Sequence, residues 1–351
     1  MKPDRENPRD DALVFRVAQL FIGQDEEGLS PTAIAEKVNA EFRGERQLSR
    51  EAIYPLITEA VRRGFIRLVP PVNQQLVTNL VKRYPCLQAC AVRVVETACK
   101  EDNGKVATAA AELAMQHLAE VAAVKKHSPV GLGLGPGRAT LDFCRAFARL
   151  LAVHAQPVKL QLVAISAGCP ANAPEYASSS FFNLFPPHVV ASTVGLFAET
   201  LVPIKDFESI KRRAGVKEAF EAQAGIDLVV TSMGDAWDED DLLCMFLKQS
   251  GQDVASLRAA GWIGNVQYRP YSAKGPMKEK PSDLRAVTLY GLEDLVRVAG
   301  QKNKHVILIA RQCAICGRSR AQALLPLLTN PQLRVFSSLV LDGVTARELL
   351  K

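Results

Sequence analysis

Residues 1–70 alternate between short helical patterns and polar turns. Apolar residues recur at helical spacing in three segments, so helices are predicted at 11–23, 32–42 and 49–63. Ser49 can cap the third helix, and Gly64 can end it. The alternating residues 65–69 predict a short strand. Three helices followed by a strand indicate a winged helix-turn-helix, with a small packing domain as the alternative.

The remaining residues alternate between strand-like and helix-like segments. Strands are predicted at 91–95, 130–134, 159–166, 228–232, 286–289, 306–310 and 334–341. Helices are predicted at 74–82, 102–124, 139–152, 187–200, 216–224, 240–250, 292–299 and 319–328. This order predicts a Rossmann-like, mostly parallel α/β sheet with helices on both faces. We therefore predict a DNA-binding domain at 1–72, a linker helix at 73–85 and an α/β domain at 86–351.

Composition fits a folded protein, since 48% of residues are hydrophobic and 23% are charged. No apolar run reaches the ~20 residues of a membrane span, and the N-terminus lacks a signal-peptide pattern. We therefore expect a cytoplasmic protein whose eight cysteines are reduced. The net charge of +6 is mild, but residues 43–67 hold six arginines against three glutamates. This local patch permits binding to nucleic acid without requiring it.

The strongest chemical signal is the glycine-rich turn that joins the strand at 130–134 to the next helix. Glycines such as Gly135 and Gly137 bring backbone N–H groups and a helix N-terminus to one point, which suits an anion, above all phosphate. Arg138 adds charge, and Thr140 adds a hydroxyl. A Walker loop is excluded, and the glycine spacing is wrong for a dinucleotide. The alternative is a tight turn that needs glycine only for packing.

Two weaker signals also follow predicted strands. Gly168 lies at a strand end that should face the same crevice. Gly317-Arg318-Ser319-Arg320 is a turn into a helix with two cations, suited to a phosphate or carboxylate. The acidic residues between 235 and 241 are interpreted as a solvated loop that caps the next helix.

Cys313 and Cys316 form a Cys-x-x-Cys pair without a second ligand pair nearby, so no metal site is predicted. The pair is interpreted as structural, with a thiol sensor as the alternative. No acid–base pair or nucleophilic arrangement stands out, so we predict no enzyme and no cofactor.

Taken together, these segments resemble the SorC family of sugar-binding transcriptional regulators over nearly the whole chain. The N-terminal resemblance rests on residues 34–38, 48–50 and 59–66, which match its helix-turn-helix. The C-terminal resemblance rests on residues 137–140, 227–234, 261–266, 316–321 and 339–346, which follow the family's order. The resemblance implies operator DNA and a sugar or sugar phosphate as partners. It also implies a homo-oligomer, dimer or tetramer, and no membrane.

The sequence departs from the family pattern at four points. Pro136 and an extra residue alter the phosphate loop, and Cys316 replaces a glycine. Arg320 replaces a lysine; it can hold an anion but cannot form an imine. Pro55 falls inside the recognition helix, as in the similar helix of PadR-type winged regulators.

The residues and the resemblance together give two predicted sites. The DNA-binding residues are Arg46, Ser49, Arg50, Glu51, Tyr54, Arg62, Arg63 and Arg67. The effector-binding residues are Gly135, Gly137, Arg138, Ala139, Thr140, Gly168, Arg269, Gly317, Arg318 and Arg320. Two alternatives stay open: an enzyme similar to sugar-phosphate isomerases and deaminases, and a thiol- or metal-responsive regulator that uses Cys313 and Cys316.

Overall fold

The computed structural model of the chain describes residues 8–23, 27–42, 47–66, 70–126, 128–153, 158–279 and 283–351. The chain divides into two compact units, residues 1–68 and residues 69–351. Each unit has a hydrophobic core of its own. They are therefore described separately.

The described part of the first unit contains three helices, α1 Pro8–Ile22, α2 Pro31–Glu41 and α3 Arg50–Arg62. Pro31 occupies the first turn of α2, behind the capping hydroxyl of Ser30. Ser49 precedes α3, but its hydroxyl makes no capping hydrogen bond. The turn before α3 is held by Asn39 instead, whose amide makes hydrogen bonds of 2.9 and 2.8 Å with the backbone of Leu48.

One face of each helix builds the core of the first unit, which includes Val17, Leu20, Ile34, Val38 and Ile53. The strand predicted at 65–69 does not begin where expected. The N–H groups of Phe65 and Ile66 donate to the carbonyl of Ala60, at 2.8 and 3.2 Å, and so end α3. The rest of that predicted strand, 67–69, lies outside the described residues.

The second unit consists of alternating strands and helices. Its helices are α4 Gln74–Arg83, α5 Asn103–Lys125, α6 Arg138–Val153, α7 Ile204–Lys211, α8 Lys217–Ala222, α9 Leu242–Gln249, α10 Val254–Ala259, α11 Leu292–Ala299, α12 Ala321–Thr329 and α13 Gly343–Leu350. Its strands are β1 Ala91–Val95, β2 Val130–Leu134, β3 Leu160–Ala164, β4 Val190–Val194, β5 Leu201–Pro203, β6 Ile226–Asp235, β7 Gly264–Val266, β8 Arg269–Ser272, β9 Gly275–Pro276, β10 Leu284–Ala286, β11 His305–Ala310 and β12 Ser338–Asp342. Among the described residues, none of the helices combines the length and hydrophobicity that a membrane crossing requires.

The main sheet has the strand order β1-β12-β11-β6-β2-β3-β4, with every neighbouring pair parallel. Residues of β6 alternate between two cores, with Leu228 and Val230 in one and Val229 in the other. The sheet is therefore covered on both faces, and the predicted mostly parallel α/β fold is confirmed. From β2 the chain runs outward to β3 and β4, then returns to β6 on the other side. The direction in which the chain adds strands to the sheet thus reverses between β2 and β6.

The helix predicted at 187–200 is wrong. A short 3₁₀ turn, Pro187–Val189, leads instead into β4, which pairs with β3 at the edge of the sheet. Its valines and threonine suit a strand, and pairing with a neighbour outweighs the apolar spacing that indicated a helix. The antiparallel strands β7, β8 and β9, which extend β6, are too short to be recognised from their pattern.

Candidate functional site

The candidate site is a cavity of about 70 Å³ at the carboxyl ends of β2, β6 and β11. It lies at the point where the strand order reverses, between β2 and β6, which is where open α/β sheets bind ligands. Its wall includes the start of α6, the loop before α9, the β7–β8 turn and Arg320. A water molecule needs about 10–15 Å³ of such space, so the cavity has room for the oxygens of one phosphate group.

The glycine turn before α6 is tightly held and leaves helix donors free. The N–H of Gly135 donates to a carbonyl of β6 at 2.8 Å, and the N–H of Gly137 donates to Tyr176 at 3.0 Å. A Cβ at Gly135 would overlap the Thr231 side chain, and Gly137 has a φ of +115°. The N–H groups of residues 138–140 donate to no described residue. The start of α6 therefore offers unpaired donors to an anion.

Arg138 bends over the cavity from the first residue of α6. Its Nη1 donates to the carbonyl of Asp240 at 2.7 Å, and its guanidinium lies 4.7 Å from the ring centre of Tyr176. Its Nε is buried without a partner among the described residues. Ala139 also lines the cavity, whereas the buried hydroxyl of Thr140 donates to a turn carbonyl at 3.4 Å. Thr140 therefore braces the turn.

Arg320 supplies the second cation of the cavity. Its Nη2 donates to Asp238 at 2.7 Å, while Nη1 is buried with no described partner. Burial raises the pKa of Asp238, but the charge and hydrogen bond of Arg320 lower it by more. The pKa of Asp238 is therefore below its ordinary value. The ion pair with Asp238 leaves one edge of the Arg320 guanidinium, at Nη1, available to a ligand.

The turn that precedes Arg320 lies outside the cavity and holds Arg320 in place. Gly317 has a φ of +73°, and its N–H donates to the carbonyl of Cys313 at 3.0 Å. Arg318 pairs with Asp235 at 3.2 Å. Neither Gly317 nor Arg318 is part of the described cavity wall.

Cys313 and Cys316 lie beside the cavity, close to Asp238. The Cys316 thiol donates to Asp238 at 3.6 Å, and the ligand atoms of Asp238, Asp240 and the two cysteines lie within 4.8 Å of one another. Burial raises the pKa of Cys313 to about 11. This disfavours the thiolate that redox or metal chemistry requires.

The β7–β8 turn places Gln267 and Tyr268 against the cavity. Val266 pairs with Arg269, so the turn has two residues, and both have positive φ, 53° and 61°. Such turns favour Asn-Gly, and each larger residue costs about 1–3 kcal/mol. Gln267 is only 2% exposed, yet neither atom of its amide has a described partner.

Asp241 is a buried carboxyl group in the wall of the cavity. It caps α9 by accepting hydrogen bonds from Leu243 and Cys244, at 3.0 and 3.2 Å, and it also accepts one from Asn265 at 3.0 Å. Burial raises its pKa to about 6, although Arg320 opposes the rise. The acidic loop thus caps α9 as predicted, but the prediction that it is solvated is wrong, because Asp235, Asp238 and Asp241 are buried.

Like Gly317 and Arg318, two further predicted effector residues lie outside the cavity wall. The carbonyl of Gly168 accepts a hydrogen bond from the hydroxyl of Tyr268 at 3.3 Å, so Gly168 lies behind the wall. Arg269 points elsewhere, donating to Thr288 at 3.1 Å and pairing with Glu279 at 3.4 Å. Burial lowers the pKa of Arg269 to about 10. Arg269 lines two other cavities of the second unit.

In the first unit, one face of α3 is exposed. It carries Arg50, Glu51 and Tyr54, and Tyr54 is 48% exposed. Ser49 is also exposed, just before the helix begins. The helix continues through Pro55.

Two more of the predicted DNA contacts, Arg62 and Arg63, lie at the end of α3. Arg62 and Arg63 both pair with Glu59 at 2.5 Å, and their hydrogen bonds lower the pKa of Glu59 to about 2. Part of their positive charge is therefore neutralised locally. Arg46 and Arg67 lie outside the described residues.

Sequence reasoning missed Gln267, Asn265 and Arg311 in the cavity wall. Arg311 is buried and pairs with Asp142 at 2.6 Å. It follows a predicted strand directly, so its position at a strand end was a usable signal. Gln267 gave no such signal, because its turn lacks the residues that mark a tight hairpin.

Residues 73–351 match the Sugar-bind family model, described as "Putative sugar-binding domain". The full-length sorbitol operon regulator SorC from Klebsiella pneumoniae is similar in structure, with a TM-score of 0.63 and 16% identity over 97% of this chain and 99% of that chain. A probable sor operon regulator from Shigella flexneri has a TM-score of 0.57 and 16% identity, over 80% of this chain and 99% of that one.

A DeoR family transcriptional regulator from Listeria monocytogenes has a TM-score of 0.57 and 14% identity, over 79% of this chain and 98% of that one. No curated protein matches the sequence. Identities this low show the fold, whereas the family model covers most of the chain and confirms the predicted resemblance. The chain therefore belongs to the Sugar-bind family and has the fold of SorC-type regulators.

Proposed function

We propose that this protein is a DNA-binding transcriptional regulator whose operator affinity is controlled by a sugar phosphate. Its family membership and its likeness to regulators of sugar operons support this function. The first unit would bind operator DNA, and the cavity at the β2–β6 reversal would bind the effector. The protein would act by binding and would catalyse no reaction.

The observation that carries the effector site is the Gln267-Tyr268 turn. Two larger residues adopt a left-handed conformation there, and the buried Gln267 amide lacks a described partner. Strain and an unpaired buried amide both destabilise the fold, so they call for a compensating role. A ligand hydroxyl can satisfy the amide because it both donates and accepts hydrogen bonds.

The rest of the cavity favours an anionic group on the same ligand. Unpaired N–H groups at the start of α6, Nε of Arg138 and Nη1 of Arg320 are all donors without an acceptor among the described residues. These donors suit phosphate oxygens. Hydroxyls at one end and phosphate at the other describe a sugar phosphate.

The exposed face of α3 supports the DNA-binding part of the proposal. Arg50, Glu51 and Tyr54 would contact bases or backbone, with Ser49 at the helix start. Arg46, Arg62, Arg63 and Arg67 would contact phosphates, which position a protein without reading sequence. A wing would follow α3. A homo-oligomer, dimer or tetramer, would bind an operator with two half-sites.

Thermal unfolding of the full chain against a panel of sugars, sugar phosphates and sulfate tests the effector site. A ligand at 100 times its dissociation constant should stabilise the protein by about 2.7 kcal/mol. Arg138→Ala should abolish this shift, whereas Arg149→Ala, which removes an exposed arginine farther along α6, should keep it. No stabilisation by any sugar or phosphate would exclude the proposed effector class.

An enzyme of the sugar-phosphate isomerase type is the second candidate. Asp241 favours it, since a cavity carboxyl with a pKa of about 6 suits acid–base catalysis. Its Oδ1, however, already accepts hydrogen bonds from two backbone N–H groups and Asn265. Turnover of pentose or hexose phosphates by the wild type, lost in Asp241→Asn, would favour the enzyme over the regulator.

A further inference from the structure

Two histidines stack at the amino-terminal ends of the strands, at the opposite end of the sheet from the candidate site. His117 lies on α5, and His305 is the first residue of β11. Their ring centres are 3.9 Å apart, and the ring planes differ by 16°. A neutral imidazole keeps a lone pair available to a metal ion.

Glu120 brings a carboxylate to both rings. Its Oε2 lies 3.0 Å from Nδ1 of His117 and 3.5 Å from Nε2 of His305. His117 and Glu120 are three residues apart on α5, so they share a face of the helix. One ligand atom from each of the three residues lies within 4.8 Å of the others.

From this arrangement we propose that His117, Glu120 and His305 form a binding site for a divalent transition metal of the Zn²⁺ type. Two imidazoles and one carboxylate form a known zinc ligand set that leaves one position open. Zn–N and Zn–O bonds of about 2.0–2.2 Å separate tetrahedral ligands by about 3.4 Å. The two distances to Glu120, 3.0 and 3.5 Å, lie on either side of that value.

The surroundings of the His117 ring fit a metal ligand. Its other nitrogen, Nε2, lies 2.9 Å from the hydroxyl of Ser338, a fully buried residue that begins β12. Such a contact fixes the orientation of a ligating histidine, and the hydroxyl can accept the Nε2 proton and so leave the Nδ1 lone pair free. The ring is therefore positioned with Nδ1 toward Glu120 before any metal arrives.

Hydrogen bonding alone leaves the cluster incomplete. His117 makes a hydrogen bond to Glu120, but Nε2 of His305 makes none to a described residue. A metal ion would satisfy His305 and the carboxylate together.

Two neighbouring lysines have other partners. Lys304 donates to the carbonyls of Ala224 and Ile226, at 2.9 and 2.7 Å, and Lys125 pairs with Asp227 at 2.6 Å. The Glu120 side chain is 61% exposed, so the open position faces solvent. The metal would join α5 to β11 and, through Ser338, to β12. It should therefore stabilise the second unit.

Zinc titration of the full chain, chelator-treated and without a polyhistidine tag, tests the site. We expect one Zn²⁺ per chain, with a raised unfolding midpoint that Mg²⁺ does not produce. Ser338→Ala should weaken binding by about 10–100-fold. Glu120→Gln and His305→Asn remove ligands and should weaken it at least as much. Glu120 is exposed, so its variant keeps the test valid if the His305 variant does not fold.

Two control variants locate the metal. His188→Asn changes an exposed histidine outside the cluster, and Cys316→Ser changes an exposed cysteine at the other end of the sheet. Both should bind Zn²⁺ as the wild type does, and bound Co²⁺ should show no thiolate charge-transfer band. Wild-type affinity in Glu120→Gln and His305→Asn, loss of binding in Cys316→Ser, or no binding at all would each overturn the proposal.

Discussion

Four polar groups at the cavity wall are buried without a hydrogen-bond partner among the described residues. They are the Gln267 amide, Oε1 of Gln312, Nη1 of Arg320 and Nε of Arg138. Each group forgoes a hydrogen bond that water would supply in the unfolded chain, so each lowers the stability of the empty protein. A binding site that is organised in advance carries this cost before the ligand arrives. Removing such a group should therefore stabilise the fold and weaken binding.

Gln267→Met tests this opposition directly. Methionine has a similar length and volume, but it has no amide to leave unpaired. We expect the free energy of unfolding without ligand to rise by about 1–3 kcal/mol. The shift caused by a stabilising sugar phosphate should fall or vanish, because the ligand loses its amide partner. Urea unfolding with and without the ligand measures both changes.

Gln252→Met is a matched control, because this glutamine is exposed beyond the end of α9. It should alter neither the stability nor the ligand shift by more than about 0.5 kcal/mol. A Gln267→Met protein that is less stable and still binds normally would contradict the assignment of Gln267 to the site.

Asp241 makes a prediction about pH. The folded state holds its proton up to a pH of about 6, while the unfolded chain releases it near the ordinary pKa of 3.8. The folded state therefore binds more protons between these values, and the contribution of Asp241 to stability falls as the pH rises through this window. About two pKa units correspond to about 3 kcal/mol.

Asp241→Asn isolates this contribution from that of the other carboxyl groups. The difference in unfolding free energy between wild type and variant should change between pH 4 and about 6, and stay constant above about 7. Asp238 does not interfere, because its lowered pKa places its effect below 3.8, where stability falls as the pH falls. A flat difference from pH 4 to 7 would refute the raised pKa of Asp241.

At the scale of elements, the sequence was most informative where apolar residues kept a clear strand or helix spacing. The predicted strands at 91–95 and 130–134 and the helix at 292–299 agree with β1, β2 and α11 at both ends. The edge strand β4 and the short strands β7–β9 could not be found in this way. Their positions depend on pairing with strands distant in sequence.

The same contrast divides the candidate site. The glycine turn before α6 was visible because close approach to a neighbouring strand requires glycine at Gly135. Arg320 was visible as a cation after a glycine turn. Gln267 was not, because its turn keeps larger residues where local backbone energetics would favour glycine. Function and local preference disagree there, and only the folded structure reveals it.

α3 contains a proline, Pro55, whose effect on the stability of the helix can be measured without DNA. Pro55 lies in the sixth position of the helix and cannot donate a backbone hydrogen bond. Pro55→Ala should stabilise α3 by up to about 3 kcal/mol, less about 0.4–1 kcal/mol from a more flexible unfolded chain. Hydrogen exchange of the α3 amides measures the change in the first unit.

Pro31→Ala is the matched control, since Pro31 lies in the first turn of α2, where no backbone donor is needed. That change should give no gain. If Pro55→Ala also gives no gain in stability, α3 accommodates Pro55 without losing stability. The presence of a proline in this helix then needs no functional reason.

At the scale of the whole molecule, the proposed effector site and the proposed DNA-binding helix lie in separate compact units, so regulation would require the two to be coupled. The second unit has a complete cavity wall and a core of its own, so effector binding should not need the first unit. A fragment of residues 70–351, which keeps α4 and its Asn73 cap, should bind the effector as the free full chain does. Only the full chain can then link effector to DNA.

That linkage is reciprocal, which gives a strict test of the proposed function. If the effector changes the affinity for DNA by some factor, DNA must change the affinity for the effector by the same factor. We expect a factor of about 5–150, measured with a duplex selected by the full chain from a random library. The same duplex should leave effector binding by the 70–351 fragment unchanged. Equal effector affinity with and without bound DNA in the full chain would show that the cavity does not control DNA binding, even if each site binds its own ligand.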